Sequence, residues 1–287
     1  MALLRNVGTT LEMIKWEHSI FALPFALSGA MLAASGWPPW SKVFWIVVCM
    51  VTARSAAMAF NRWADAGLDA ANPRTQGRAI PAGMLSRRFV AGFTVFTSLA
   101  FILAAAQLNR ETLLLSPLAL AVILLYSYTK RITRWSHLVL GLALGIAPAA
   151  AWIAVRGTLD PRILVLTAAV LFWVGGFDVL YACQDMAHDR EAGLNSIPGN
   201  WGIQTAFWFA RGMHLVMLAL LCLLLKLFAL HAIAWVGVTA VALLLLYEHL
   251  IVSPTDLRRL NAAFFTLNGI ISMVFFFFIA ASLLLSK

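Results

Sequence analysis

The stretch from Ala59 to Pro81, AFNRWADAGLDAANPRTQGRAIP, sets Asn61, Arg62, Asp65, Asp69, Asn72, Arg74 and Arg78 within eighteen residues. It does so in a chain of 287 residues that is 62% hydrophobic and only 11% charged. About a quarter of the residues in an ordinary soluble domain are charged, so this concentration stands out against an apolar background of mean hydropathy +0.87. Apolar runs flank it, each near the 20 residues with which an α-helix crosses a hydrocarbon layer roughly 30 Å thick. Working outward gives nine runs, at roughly 20–36, 41–60, 89–107, 112–129, 137–155, 162–181, 204–228, 231–251 and 262–285. The seventh and eighth are separated only by the FALHA region, Phe228 to Ala232. The expectation is an all-α membrane protein: nine transmembrane helices around a central cavity, forming a single integral-membrane domain over 1–287.

The distribution of charge gives an orientation. With the N-terminus inside, the inner stretches carry thirteen Lys and Arg and the outer ones six. Basic residues favour the cytoplasmic side, so the pattern predicts a cytoplasmic N-terminus. The first run follows Lys15, Glu17 and His18 and exceeds a signal-peptide core, so it reads as a span rather than a cleaved leader. No basic run with interleaved aromatics offers a nucleic-acid groove. Cys49, Cys183 and Cys222 lack metal-ligand spacing and read as plain thiols in apolar segments.

A second polar stretch echoes the first. NRWADAGLD (Asn61 to Asp69) has the form N-x-x-x-D-x-x-x-D, and YACQDMAHD (Tyr181 to Asp189) has the form Y-x-x-x-D-x-x-x-D. Each begins where an even-numbered run ends, four runs apart, which keeps both in the same membrane orientation. A tandem four-helix pseudo-repeat would produce this and would set the two stretches facing one another.

Positions i and i+4 share a helix face. Asn61, Asp65 and Asp69 therefore form one stripe, and Tyr181, Asp185 and Asp189 another. An acid pair of this kind at an interfacial helix end is commonly just a solvated surface. Two at corresponding ends, in a chain with twelve acids, point instead to a shared site. Converging carboxylates repel unless a cation lies between them. Magnesium suits such a site, because it prefers oxygen ligands and bridges one or two carboxylates to phosphate oxygens. Arg74 and Arg78, with Lys130 on the next inner loop, supply the groups that grip phosphate. Acids for metal beside cations for phosphate describe a diphosphate site.

The segments NRWADAGLDAANPRTQGRAIPAG (Asn61 to Gly83), DVLYACQDMAHDREAGLNSIP (Asp178 to Pro198) and YSYTKR (Tyr126 to Arg131) resemble the motifs of the UbiA superfamily of intramembrane aromatic prenyltransferases. The resemblance spans nearly the whole chain and extends to the nine-helix plan. It implies that a polyprenyl diphosphate is held through Mg2+, ionises to an allylic cation, and is attacked by an aromatic ring. It further implies that Asn61, Asp65, Asp69, Asp185 and Asp189 hold metal. Arg74, Arg78 and Lys130, with Tyr126 or Tyr181, would contact the diphosphate. Asp178 matches a recurrent position without an assigned role, and Arg62 departs from the pattern where many members have a third acid. Within the superfamily the pattern is most similar to bacterial 4-hydroxybenzoate polyprenyltransferases of ubiquinone synthesis. Enzymes of the futalosine route to menaquinone, acting on a related aromatic acid, are the alternative.

Arg54 lies inside an apolar run, two turns before Asn61. A cation there needs a cavity or a partner, either an internal acid or the carboxylate of an aromatic acceptor; Arg131 competes for that acceptor role. A cation-coupled transporter is the alternative of another class, but the acids gather at one membrane face beside Arg and Lys rather than at broken helices near mid-depth. The expected setting is a bacterial plasma membrane, with the site facing the cytoplasm.

Overall fold

The computed structural model describes residues 2–14 and 21–285. Lys15, Glu17 and His18 lie outside the described residues. Among the described residues the secondary structure is helical, with one isolated bridge between Ser253 and Asp256, and eight helices are long and apolar enough to cross a membrane. Their cores are α3 (Trp40–Ala64), α5 (Arg87–Ala106), α6 (Arg110–Thr129), α7 (Ser136–Arg156), α8 (Ile163–Ala182), α11 (Ile203–Leu227), α12 (Ile233–Ile251) and α14 (Asn268–Leu285). These account for eight of the nine apolar runs of the sequence.

The first run differs. It contains α2 (Leu23–Ala34), a helix of 12 residues, or about 18 Å at 1.5 Å per residue. Ser35 turns into the left-handed region (φ 51°) and its N–H returns to Leu32 O, while Gly36 N–H returns to Met31 O. Pro38 and Pro39 then prevent continuation. The tight break between the seventh and eighth runs is also real, with Ala229 at φ 47° between α11 and α12.

Short helices fill the connections: α1 (Ala2–Ile14) precedes the bundle, α4 (Ala66–Ala71) follows α3, and α9 (Met186–Glu191) and α10 (Ile197–Trp201) follow α8. A short turn, α13 (Leu260–Ala262), and a π-helical segment, Ala263–Leu267, lead into α14. The pairings repeat with an offset of four spans. Helix α3 packs on α5 as α8 packs on α11, and α6 packs on α7 as α12 packs on α14. This is the arrangement a four-helix pseudo-repeat would give.

One apolar core joins α2, α8, α11, α12 and α14 around the fully buried Trp173, Phe25 and Phe275. Phe25 lies 4.9 Å from Trp173 and 5.1 Å from Phe275 between ring centroids. Close backbone approach seals the neighbouring walls. A Cβ on Gly145 would meet Thr167 O at 2.7 Å, and one on Gly141 would overlap Leu171 O. Small residues are what allow membrane helices to pack backbone to backbone. Helices α2, α3, α6, α7 and α8 surround a cavity of about 950 Å3. Gly141→Ala is expected to destabilise the bundle by about 1–3 kcal/mol through overpacking, read as a lower midpoint of thermal unfolding in detergent. Gly92→Ala, where nothing lies within 4 Å, should leave the midpoint unchanged or raise it.

Candidate active site

The two acidic stretches share a local geometry. Helix α3 stops at Asp65 (φ −94°, ψ 4°), and the chain resumes as α4 with Asp69 in its first turn. Helix α8 passes through one 3-10 turn, Cys183–Asp185, to Asp185 (φ −100°, ψ 2°), then resumes as α9 with Asp189 in its first turn. The first acid of each motif thus sits in the bridge region of backbone space, which active-site residues often occupy. Both breaks fall at the same register, so the resemblance between the motifs extends to their conformation. The stripe read from i,i+4 spacing holds as far as the break: Asn61 Nδ2 donates to Asp65 Oδ2 at 3.1 Å.

Three of the four acids hold cations. Asp65, almost fully buried, receives Lys130 Nζ at 3.0 Å and Arg131 Nη2 at 2.8 Å. Asp69 receives Arg78 Nη1 at 2.6 Å. Asp185 is gripped by both edges of Arg74, Nε to Oδ1 at 2.8 Å and Nη2 to Oδ2, the paired geometry in which Arg binds carboxylates best. Asp189 instead accepts a hydrogen bond from Ser196 Oγ at 2.8 Å. Residues of the first motif therefore close directly on residues of the second.

Asn72 prepares that closure. Pro73 favours an extended conformation before it, and Asn72 is extended at φ −93°, ψ 119°. Its Oδ1 accepts the Arg74 N–H at 2.9 Å, and its Nδ2 donates to Asp185 Oδ1 at 3.0 Å. Tyr181 Oη accepts from Arg74 Nη1 at 3.4 Å, and the guanidinium carbon lies 5.5 Å from its ring centroid. Burial alone would lower the Arg74 pKa, but the hydrogen bonds and charge of Asp185 outweigh it and hold it above its ordinary value. The third motif is tied in through Asn195 N–H, which donates to Lys130 O at 2.7 Å.

The cavity opens onto this layer from below. Its polar lining includes Arg54, Asn61, Arg62, Arg74, Arg78, Tyr126, Asp178 and Tyr181. Asp65, Asp69, Asp185, Asp189, Lys130 and Arg131 are not among the lining residues; Asp65, Asp69 and Asp185 touch that lining or its neighbours through their ion pairs. Among the described residues no three His, Cys, Asp or Glu side chains stand close enough to hold a metal ion. In this structure Asp65, Asp69 and Asp185 are each paired with a cation, and Asp189 with a hydroxyl. Arg131 is committed to Asp65 and to Ala64 O, at 2.9 Å, whereas Arg54 faces the cavity with its Nε buried and without a hydrogen-bond partner.

Asn72, Ser196 and His137 escaped the sequence reading. His137 Nδ1 lies 2.7 Å from Asp178 Oδ2, and its Nε2 accepts the Ile197 N–H at 3.3 Å. Because Nε2 is the acceptor, Nδ1 carries the proton and donates it to Asp178. Only the N-P-R sequence around Asn72 offered a signal; the other two contacts cross 41 and 7 residues without a spacing rule.

An apolar helical bundle whose cavity ends in a layer of guanidinium and carboxylate groups defines a membrane protein with an intramembrane polar chamber. The UbiA prenyltransferase family model matches residues 22–281, and the chain belongs to that family. A 4-hydroxybenzoate octaprenyltransferase of Idiomarina loihiensis is 32% identical over 279 residues, covering 94% of this chain and 92% of that protein. A UbiA homologue from Aeropyrum pernix K1, solved in its apo form, has a TM-score of 0.84 at 33% identity, covering 94% of this chain and 98% of that one. A UbiA homologue from Archaeoglobus fulgidus, bound to DMAPP and Mg2+, shares the fold with a TM-score of 0.71 at 18% identity, covering 96% and 99%. Family membership sets aside the transporter alternative.

The clasp between the halves is testable apart from catalysis. A double-mutant cycle on Arg74→Ala and Asp185→Ala, read by thermal unfolding in detergent, should give a coupling of about 0.5–2 kcal/mol. That exceeds a typical exposed pair because the contact is bidentate and half-buried.

Proposed function

We propose that this enzyme transfers a polyprenyl group from polyprenyl diphosphate to an aromatic acid, 4-hydroxybenzoate, in quinone biosynthesis. The observation that carries the reading is Arg54, a buried cavity-facing guanidinium whose Nε has no partner. A cation in that position is costly without an anion, and an acceptor carboxylate supplies one. The names and identities of the curated relatives support the same acceptor.

The chamber divides the work. Arg74 and Arg78 line the cavity at its polar end, where they stabilise charge on the departing diphosphate. Lys130 stands behind them on Asp65, and Tyr181 braces Arg74. Tyr126 lines the wall beside them. Below, Phe101, Leu115, Leu118, Val122 and Ala147 line an apolar channel suited to an isoprenoid tail and to keeping water from an allylic cation. The C–O bond to diphosphate breaks, a C–C bond forms ortho to the acceptor hydroxyl, and the ring releases a proton. Asp178, oriented by His137 and exposed to the cavity, is the lining carboxylate placed to receive it.

Magnesium fits this residue set in one particular way. Asp69 Oδ2 is buried without a hydrogen-bond partner, and an unused anionic oxygen is a natural ligand for a hard cation. Asp65, Asp69, Asp185 and Asp189 offer only oxygen donors, yet no cluster is preassembled among the described residues. The set suits an ion shared with substrate phosphates rather than one held by protein alone. Bound there, Mg2+ would neutralise diphosphate charge. Asn61 contributes less directly, since Asp65 and Arg62 engage both ends of its amide.

The reading extends to a chamber facing the cytoplasm from a bacterial inner membrane, which the excess of inner basic residues supports. An acceptor screen with product mass spectrometry tests the reading; prenylated 4-hydroxybenzoate is expected, and no prenylation of any aromatic acid would overturn it. Asp65→Ala or Asp185→Ala should abolish turnover while the purified protein remains folded. Arg54→Ala should raise KM for the acceptor about 10–100-fold, as loss of a charge-assisted hydrogen bond implies, with KM for prenyl diphosphate little changed.

A further inference from the structure

Arg62 differs from the other cations of the polar layer. Arg74, Arg78, Lys130 and Arg131 each hold a carboxylate. Arg62 makes no ion pair among the described residues, and its side chain donates from Nη1 to Asn61 Oδ1 at 3.3 Å. It is nevertheless only 9% exposed and lines the cavity beside Arg74 and Arg78.

A buried guanidinium that lines a cavity beside Arg74 and Arg78 without an ion pair calls for an anion. Asn61 holds Arg62 in this position. Its Nδ2 is tied to Asp65 Oδ2 and its Oδ1 receives Arg62, so the amide acts as a strut between acid and cation. Arg54 lies two helical turns deeper on the same helix, about 12 Å along its axis. Among the described residues of the lining, Arg54 and Arg62 are the cations without an ion pair, and they stand at different depths.

We infer that Arg62 is a fixed cation of the diphosphate site that takes over neutralisation otherwise left to a divalent ion, so that prenyl diphosphate binds appreciably without metal. The inference rests on the diphosphate reading above and adds the source of the positive charge. A guanidinium suits the task because it stays charged at any working pH and presents a rigid fork of donors.

The test uses the full chain in nanodiscs and a prenyl thiolodiphosphate, whose sulfur-linked leaving group resists ionisation. Binding is measured by calorimetry in EDTA and again in saturating magnesium. The unmodified chain should bind in EDTA. Arg62→Gln should weaken binding about 10–100-fold in EDTA, the equivalent of a charge-assisted hydrogen bond, and by a much smaller factor in magnesium. Arg62→Lys should retain most metal-free binding, which separates charge from packing. Arg62→Asp should make binding wholly magnesium-dependent. If the unmodified chain binds only with magnesium, or if Arg62→Gln loses the same factor in both conditions, the inference is overturned while the diphosphate reading stands. If the unmodified chain binds under neither condition, the diphosphate reading falls as well.

Discussion

Arg74 closing bidentately on Asp185 is the contact on which the chamber depends. The acid comes from the break after α8 and the cation from the loop after α3 and α4, so one ion pair joins the two halves of the bundle. Removing either partner would leave a half-buried charge at a membrane interface, a worse state than never having placed the pair. Asn72 links both members by hydrogen bonds, and Tyr181 braces the guanidinium from the far side. The polar layer is in this sense a closed structural unit before any substrate arrives.

That closure governs the chemistry. Carboxylates neutralised by Lys130, Arg131, Arg78 and Arg74 are poor at capturing a free divalent ion, yet they keep the cations aimed along the cavity end. On the reading proposed above, a diphosphate at the cavity end would compete with the acids for those cations and free carboxylate oxygens that could then hold a divalent ion. Substrate and metal would then bind together, above a channel lined by apolar side chains.

Much of this was legible in the sequence, and the reasons are local. Eight spans follow from long apolar runs, and the helical spacing of Asn61 and Asp65 survives as a hydrogen bond because α3 is unbroken between them. The echo of the two D-x-x-x-D segments pointed to one shared polar layer, and Asn72 and Arg74 beyond the first segment do contact Asp185 of the second. The short α2 was read as a full span because hydropathy ignores the left-handed turn at Ser35 and the two prolines that follow. The ion pairs of Asp65 were not legible in the sequence: Lys130 and Arg131 lie 65 and 66 positions away, and no periodicity links α3 to the end of α6. The role of His137 left no trace in the sequence, since its bond to Asp178 depends on how α7 crosses α8 over Gly141 and Gly145.

The central claim is that a divalent metal binds this chamber only once diphosphate is present, because three of its four acids already hold cations. Electron paramagnetic resonance of Mn2+, titrated into the purified full chain with and without a prenyl thiolodiphosphate, tests it most directly. The account predicts weak Mn2+ binding to the protein alone, and tight binding with phosphorus hyperfine coupling once the analogue is present. Tight, stoichiometric Mn2+ binding to the free protein, unchanged by the analogue, would contradict it.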